Sequence, residues 1–430
     1  MKRYSIGLDL GTSSAKGVLF SESGEIIAKS TAAFTCGKSY LPDGAEYIGI
    51  DTNNFYNTVC SVLRELASAL PYGGELTGVA MASASGNATV CDPEGNALID
   101  AYSWLNKPFK DEIPQVFGEG FGKEVRERAG WGISYSFPLG QLSHLKLHAP
   151  HLLEGSATVC MTTEYVLHRL TGKWGIDVST ATPFFLLDQK ARAWNKDYLS
   201  TLGIDESKLP PLMECGDLLG EITEKASSEC GLPVGTKVRV GSFDHPTAAR
   251  ACEIEREGDL LISCGTSWVC FFPMNDRAAV VRNEFLCDPF LTPDGPWGAM
   301  SSLARASERI KEVTEKYISD GDNKFALLDE CASRADKDAG GLSFNPMGEL
   351  PDLSGYSKEN IARALMLGIA RELKRRVSGI VTVKRVAMCG GPSTSKVWQQ
   401  VLSEVFEAPM TVTYGPHSGA VGAAMYALKL

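Results

Sequence analysis

The sequence predicts an α/β chain folded as two similar lobes, each with one β-hairpin whose turn faces a shared cleft. Three observations carry this expectation. The opening stretch Ser5–Phe20, SIGLDLGTSSAKGVLF, reads as an alternating apolar strand, a Gly-Thr-Ser turn and a second apolar strand. The pattern returns in GDLLISCGTSWVCFF, where Gly265-Thr266-Ser267 repeats Gly11-Thr12-Ser13 near the start of the other half of the chain, as a duplicated domain would. The chain has 430 residues, 44% of them hydrophobic, which is more than one compact core holds.

The elements follow in order. Tyr4, Ile6, Leu8 and Leu10 alternate as a strand, Val18-Leu19-Phe20 ends at the turn SESGE, and IIAKSTAAF continues as a third strand. No helix fits between Thr12 and Ser21, which excludes the G-x-x-x-x-G-K-[ST] phosphate loop, since that loop needs a helix straight after its glycines. A tight hairpin turn is another way to present backbone N–H and hydroxyl donors to phosphate. A helix is expected around Phe55–Leu70, then the strand LTGVAMAS, then NATVCDPEGNALI with its Asp-Pro-Glu-Gly hairpin signal. Helices and short loops are expected from Leu139 to Ile204, followed by the Pro-bounded loop LPPLMECGDLLGEI leading into a strand. A strand over Lys237–Val240 runs into a helix. In the last third, Ile361, Leu365, Ile369, Leu373 and Val377 mark an amphipathic helix capped by Ser357. VKRVAMCGGPSTSKVWQQVLSEVF reads as strand, Gly-Gly turn and helix, and the chain closes on a helix of small residues able to pack closely.

Composition removes several classes. Acidic residues outnumber basic ones 52 to 42, a net charge of −10 with no dense basic block, which argues against nucleic acid as a partner. No apolar run approaches the length of a membrane span, and the N-terminal MKRYSIGLDL has no apolar signal core, so a cytoplasmic location is expected. The 12 cysteines are scattered with no C-x-x-C, as buried free thiols in a reducing compartment would be. His144, His148 and His151 cluster without an H-E-x-x-H pattern, and a half-exposed helix face is expected there rather than a metal site. A homodimer is the default oligomer.

Four constellations point to chemistry. Asp9 stands in an apolar strand beside a donor-rich turn. A carboxylate there repels phosphate unless a cation intervenes, so Asp9 reads as organising Mg²⁺, through water, with Gly11, Thr12 and Ser13 as phosphate donors and Lys16 adding charge. An ordinary hairpin whose Asp caps the turn has the same look. Asp244 ends a strand where a helix begins. It reads either as an N-cap or as a general base taking the proton of an attacking hydroxyl. Gly265-Thr266-Ser267 reads as a second phosphate turn or a plain hairpin bend. Gly390-Gly391, before the helix opened by Ser395 and Lys396, lets backbone approach a flat ring.

Taken together, GLDLGTSSAKGVLF, GSFDHPTAA, GDLLISCGTSW and MCGGPSTSKVWQQVLSEVFEAPMTV resemble, in order and over nearly the whole chain, the FGGY carbohydrate kinases. TTEYVLHRLTGKWGIDVSTAT, LSTLGIDESKLPPL and IARALMLGIARELKRRV support the match. The resemblance implies the fold shared by actin, heat-shock chaperones and hexokinase: two ribonuclease-H-like lobes around a central cleft. It places an N-terminal lobe at 1–241, with the first phosphate motif and most of the sugar site. A C-terminal lobe at 242–430 would carry the catalytic base and the second phosphate and adenosine motifs. It implies ATP and Mg²⁺, and transfer of the γ-phosphoryl group to a hydroxyl of a small-molecule carbohydrate. Asp9, Gly11, Thr12 and Ser13 then belong to the first phosphate motif, Gly265 and Thr266 to the second, and Gly390, Gly391 and Ser395 to the adenosine motif. Asp244 takes the base position.

The acceptor side departs from the family. Where a xylulose kinase presents Gln-Met-His, this chain has Ala84-Ser85-Gly86, so D-xylulose is not favoured. W-x-D-x-R becomes Trp104-Leu105-Asn106-Lys107-Pro108. Asn106 retains hydrogen bonding without charge, and Trp104 suits either a sugar face or the core. Ser85, Gly86, Trp104, Asn106 and Asp244 are the expected substrate residues. G-E-R-x-P becomes Gly348-Glu349-Leu350-Pro351, and R-A-x-x-E-G loses its Glu at Leu367. These changes mark a divergent subgroup and leave the acceptor open among ketoses, polyols and sugar acids. They also leave open a non-catalytic or regulatory ATP-binding protein on the same fold, against which Asp244 argues.

Overall fold

The computed structural model describes residues 2–122 and 124–429. The chain divides into two compact units, one of Met1–Thr247, Arg277–Pro293 and Gly419–Leu430, the other of Ala248–Asp276 and Asp294–Ser418.

The first unit is built on a six-stranded sheet in the order 218–221, 237–243, 75–83, 3–10, 14–21, 26–33. The strand Arg3–Leu10 pairs antiparallel with Ser14–Ser21 and parallel with Glu75–Ser83, which in turn runs parallel to Lys237–Phe243. Strict alternation assigns the two faces of Arg3–Leu10. Ile6, Leu8 and Leu10 join the core formed with Phe55, Val59, Val62, Leu63 and Leu66 of the helix Thr52–Ser68. That helix starts where the Asp51 carboxylate accepts from the N–H groups of Asn53 and Asn54, both at 2.9 Å. Ser5, Gly7 and Asp9 take the other face, under the closing helix Ser418–Leu428. Ser5 Oγ donates to Ala424 O at 2.8 Å, and a Cβ on Gly7 would lie 1.9 Å from Ala420 O. The last helix therefore sits against backbone, which explains its small residues. It also explains why an acid stands mid-strand: Asp9 continues the small, polar face, not the apolar one.

The second unit repeats this plan. Asp259–Cys264 pairs antiparallel with Trp268–Met274 and parallel with Arg385–Gly390. Trp268–Met274 pairs antiparallel with Trp297–Leu303, and Arg385–Gly390 runs parallel to Met410–Thr411. The resulting order, 297–303, 268–274, 259–264, 385–390, 410–411, matches 26–33, 14–21, 3–10, 75–83, 237–243 of the first unit strand for strand and direction for direction. The expected duplication is thus present in topology, and the architecture is the actin-like ATPase fold. Ser357 caps the helix Lys358–Val377, its Oγ accepting from Asn360 N at 3.2 Å. From that helix, Arg363 pairs with Glu404 of the helix Lys396–Phe406 at 2.5 Å.

Several expectations shift. The strand expected over Lys237–Val240 runs on to Phe243, because Ser242 and Phe243 continue its pairing with Ala82 and Ser83. The expected hairpin over the Asp92–Asn96 turn forms, with Cys91 bridging Ala97 and Leu98 N donating to Val90 O, and the strand Ala88–Cys91 pairs in addition with Thr158–Met161. The region from 139 to 204 holds short strands at Thr158–Met161, Ile176–Asp177, Leu187–Asp188 and Ala193–Trp194 besides its helices. His144 is not half-exposed: it is buried, its Nδ1 2.9 Å from Tyr102 Oη, while His148 pairs with Asp43 on the surface. The cysteines are free, most of them buried. Among the described residues no helix is long and apolar enough to cross a membrane, and no group of three or more His, Cys, Asp or Glu could hold a metal ion.

Candidate active site

In the first unit, three parallel strands, Arg3–Leu10, Glu75–Ser83 and Lys237–Phe243, end together. Ligands of open α/β sheets bind beyond such carboxyl ends. Asp9 is in register with Ala82, and Ala82 with Ser242, so Asp9, the Ala84–Gly86 segment and Asp244 emerge along one edge. Adjacent strands lie about 4.8 Å apart, which brings the groups within reach of one small ligand.

The two carboxylates feel one another. Burial is the main cause that pushes Asp9 up to about 6, the charge of Asp244 adds to it, and Lys16, its cross-strand partner, opposes it. Burial likewise raises Asp244 above the usual aspartate range, opposed by the nearby His245 charge and the His245 N–H. The Asp244 side chain is nonetheless 27% exposed, so solvent and a ligand reach it. It accepts from His245 N at 2.8 Å, the next residue of its own helix Asp244–Ala251. Asp9, whose burial and neighbouring negative charge raise its proton affinity, is a place where a cation is welcome. One or two carboxylates completed by phosphate oxygens and water suit Mg²⁺, so the donor set fits that ion.

The Gly11–Ser13 turn is closed by Gly11 N donating to Ser14 O at 3.0 Å. Gly11 has no positive φ, and a Cβ there would meet nothing closer than 3.4 Å, so the fold does not require glycine at this position. Gly265 is alike, with its N–H donating to Ser267 O at 3.2 Å and the nearest atom to an added Cβ at 3.5 Å. Room left at both turns is what close approach of a ligand to backbone needs.

In the second unit, the Gly265–Ser267 turn and the Gly390-Gly391 turn abut. Cys264 is in register with Gly390, so Gly265 and Gly391 leave neighbouring strand ends. Gly390 has φ 90° and an added Cβ would fall 2.2 Å from Cys264 O, so the fold demands glycine there. Gly391 faces open space, with no atom within 4 Å of an added Cβ. Gly391→Val is therefore expected to leave the melting temperature within a few degrees of wild type; on the expectation that this turn belongs to the adenosine motif, it should weaken ATP binding at least tenfold, as read by calorimetry. Ser395 caps the helix Lys396–Phe406, its Oγ accepting from Trp398 N at 3.1 Å.

The acceptor residues separate. Ser85 is 4% exposed and its Oγ has no hydrogen-bond partner. Gly86 has φ 104°, and an added Cβ would lie 2.9 Å from the Phe137 ring, which occupies the space a larger residue would take. Trp104 is partly exposed and outside the buried core, with its N–H donating to Asn87 Oδ1 at 3.0 Å. Asn106 differs from its assignment to a sugar hydroxyl: Oδ1 accepts from Ile48 N, and Nδ2 donates to Ile48 O and Ser103 O, each at 2.7 Å. Its amide holds the loop that carries Trp104.

Two residues escaped sequence reasoning. An added Cβ on Gly419, at the start of the last helix, would lie 2.7 Å from Asp9 Oδ2, so this glycine makes room for the carboxylate. Ser307 props the Gly265–Ser267 turn: its Oγ donates to Gly265 O at 2.6 Å and its N–H to Thr266 O at 3.3 Å. Only the run of small residues around Gly419 gave a signal, and it was one of packing.

Comparison with known proteins gives the family and the fold. Residues 4–250 match the N-terminal domain of the FGGY family of carbohydrate kinases and residues 349–429 its C-terminal domain. A gluconokinase of Bacillus subtilis (strain 168) is 23% identical over 460 residues, spanning 100% of this chain and 88% of that protein. An autoinducer-2 kinase of Klebsiella pneumoniae is 24% identical, over 99% of this chain and 85% of that protein. The crystal structure of gluconate kinase from Lactobacillus acidophilus superposes with a TM-score of 0.85 at 18% identity, covering 100% of this chain and 89% of that one.

Proposed function

We propose, from the premise that this chain belongs to the FGGY family of carbohydrate kinases and is an ATP-dependent sugar kinase, that Asp244 is its general base. One observation carries the reading: a solvent-reachable carboxylate at a strand end, beside Asp9 and one residue beyond the register of the Ser85 segment. The acceptor hydroxyl gives its proton to an Asp244 carboxylate oxygen as its oxygen bonds to the γ-phosphorus. The bond from that phosphorus to the bridging oxygen breaks, and ADP leaves with the electron pair. The turns Gly11–Ser13 and Gly265–Ser267 supply donors to the phosphates, Lys16 supplies charge, and Gly390, Gly391 and Ser395 form the adenosine platform. Asp9 would hold Mg²⁺ through water, and the ion supplies charge neutralisation at the phosphates when bound.

The acceptor is a ketose, polyol or sugar acid. The partnerless, buried Ser85 Oγ supports a bond from this residue to one of its hydroxyls, and Trp104 is assigned to cover a sugar face. Asn106 acts by fixing the Trp104 loop. A cytoplasmic homodimer is the working assembly.

ADP release measured against a panel of ketoses, polyols and sugar acids tests this reading. Release that depends on one acceptor is expected, and Ser85→Ala should raise the KM of that acceptor about five- to tenfold, the loss of one hydrogen bond, with the ATP KM unchanged. Slow release indifferent to every acceptor would overturn the assignment and favour a regulatory nucleotide-binding role.

A further inference from the structure

The strand that delivers Asp244 has a weak point. Along its outer edge, the strand Leu218–Glu221 and the residues before it cover Lys237–Phe243 only as far as Val240, whose N–H donates to Asp217 O and whose O accepts from Gly216 N. The last residue, Phe243, keeps its inner pairing with Ser83, and its N–H reaches a side chain instead of a strand. That side chain is Ser179, whose Oγ accepts from Phe243 N at 3.1 Å and donates to Asp288 Oδ2 at 2.6 Å. Both Ser179 and Asp288 are fully buried. A hydroxyl can accept and donate at once, which neither an alanine nor a carboxylate in its place would do.

A second tie reaches the same residue from the same segment. Cys287 O accepts from Trp131 Nε1 at 3.0 Å and from Gln189 Nε2 at 2.8 Å. The Trp131 ring in turn packs edge-on against the Phe243 ring, centroids 5.5 Å apart. Cys287 and Asp288 therefore hold Phe243 twice, by its backbone through Ser179 and by its ring through Trp131.

We propose that Ser179 and Asp288 are positioning residues that fix the strand end from which Asp244 reaches the acceptor. The proposal rests on the reading of Asp244 as base. A buried carboxyl satisfied by a serine is ordinary; here the serine's remaining bond goes to the N–H one residue before the base. If that anchor is lost, Asp244 shifts and gains water. The rate then falls through misplacement of the base, and the carboxylate, less desolvated, ionises at lower pH.

The experiment is kinetic, on the full chain with ATP, Mg²⁺ and the acceptor found by the panel. Ser179→Ala is expected to lower kcat about 10- to 100-fold with the ATP KM unchanged, and to move the acid limb of kcat/KM to lower pH. Ser179→Thr, which keeps the hydroxyl, is expected to keep the wild-type limb. In the Asp244→Asn background, Ser179→Ala should cost nothing further, because its effect passes through the base. A wild-type kcat in Ser179→Ala, or an equal loss in both backgrounds with an unmoved acid limb, overturns the positioning role. Retained activity in Asp244→Asn alone overturns the base assignment instead, so the two failures are distinct. Should Ser179→Ala not fold, Ser179→Cys, with its weak donor, and Asp288→Asn carry the same readouts, and wild-type profiles in both overturn the proposal.

Discussion

Asp244→Asn is expected to fold, bind ATP with wild-type affinity and lose phosphoryl transfer by about 10²- to 10⁴-fold, the range a positioned general base contributes. The substitution is close to isosteric, and an amide oxygen can still accept from His245 N, so the helix Asp244–Ala251 keeps its start. What disappears is the carboxylate assigned to take the proton from the acceptor hydroxyl. The pH profile adds a second readout. Because burial raises Asp244, the wild-type acid limb should lie above the ordinary aspartate value of about 3.9, with activity lost as pH falls through the folded-state value. In Asp244→Asn the residual rate should no longer follow that limb. A coupled assay for ADP, calorimetry with ATP and a thermal melt read the three quantities on one preparation. Full activity in the folded variant would remove Asp244 as the base.

The parts of this site that could be read from sequence are local. The two Gly-Thr-Ser bends lie between apolar runs of period two, and each element is short enough for its residues to define it. The duplicated topology followed from those bends, because a repeated hairpin implies a repeated lobe. The Ser357 and Ser395 caps were equally local. What stayed hidden depends on distant partners. Ser179 meets Phe243 across 64 positions and Asp288 across 109, and Ser307 meets Gly265 across 42. A serine in a short helix and an aspartate after a cysteine have no pattern that announces such a pairing. Asn106 misled for the same reason: its hydrogen-bonding capacity was read from chemistry, but its partners, Ile48 and Ser103, are set by the fold. The strand to Phe243 was read three residues short because Gly241 and Ser242 look like turn residues, while pairing of Ser242 with Ala82 and of Phe243 with Ser83 continues the strand beyond them.

Asp9→Asn should trade function for stability. Asp9 in the folded protein is raised to about 6 from 3.8, mainly by burial and then by Asp244. For an acid this means that the fold disfavours the charged form. Below about pH 4 the group is protonated in both states and the penalty is absent. Between about 4 and 6 the native state holds more protons than the unfolded chain, so stability falls as pH rises; above about 6 the penalty is complete and constant. A shift of this size corresponds to roughly 1–3 kcal/mol, taken toward the low end because Asp9 is only partly buried and Lys16 offsets some of the cost. Without nucleotide, the variant should therefore be more stable than wild type at pH 7, by about 1–2 kcal/mol in denaturant melts, and the difference should close near pH 4. Mg²⁺ and ATP together should reverse the order, because ligand that binds only the folded state stabilises wild type through the same carboxylate that the variant lacks. Phosphoryl transfer should fall at least 10²-fold for want of that carboxylate at the metal. A variant less stable than wild type at pH 7, or a stability difference that does not change between pH 4 and pH 7, would show that the acid inside the first strand costs the fold nothing, and its place there would need a structural reason instead of a functional one.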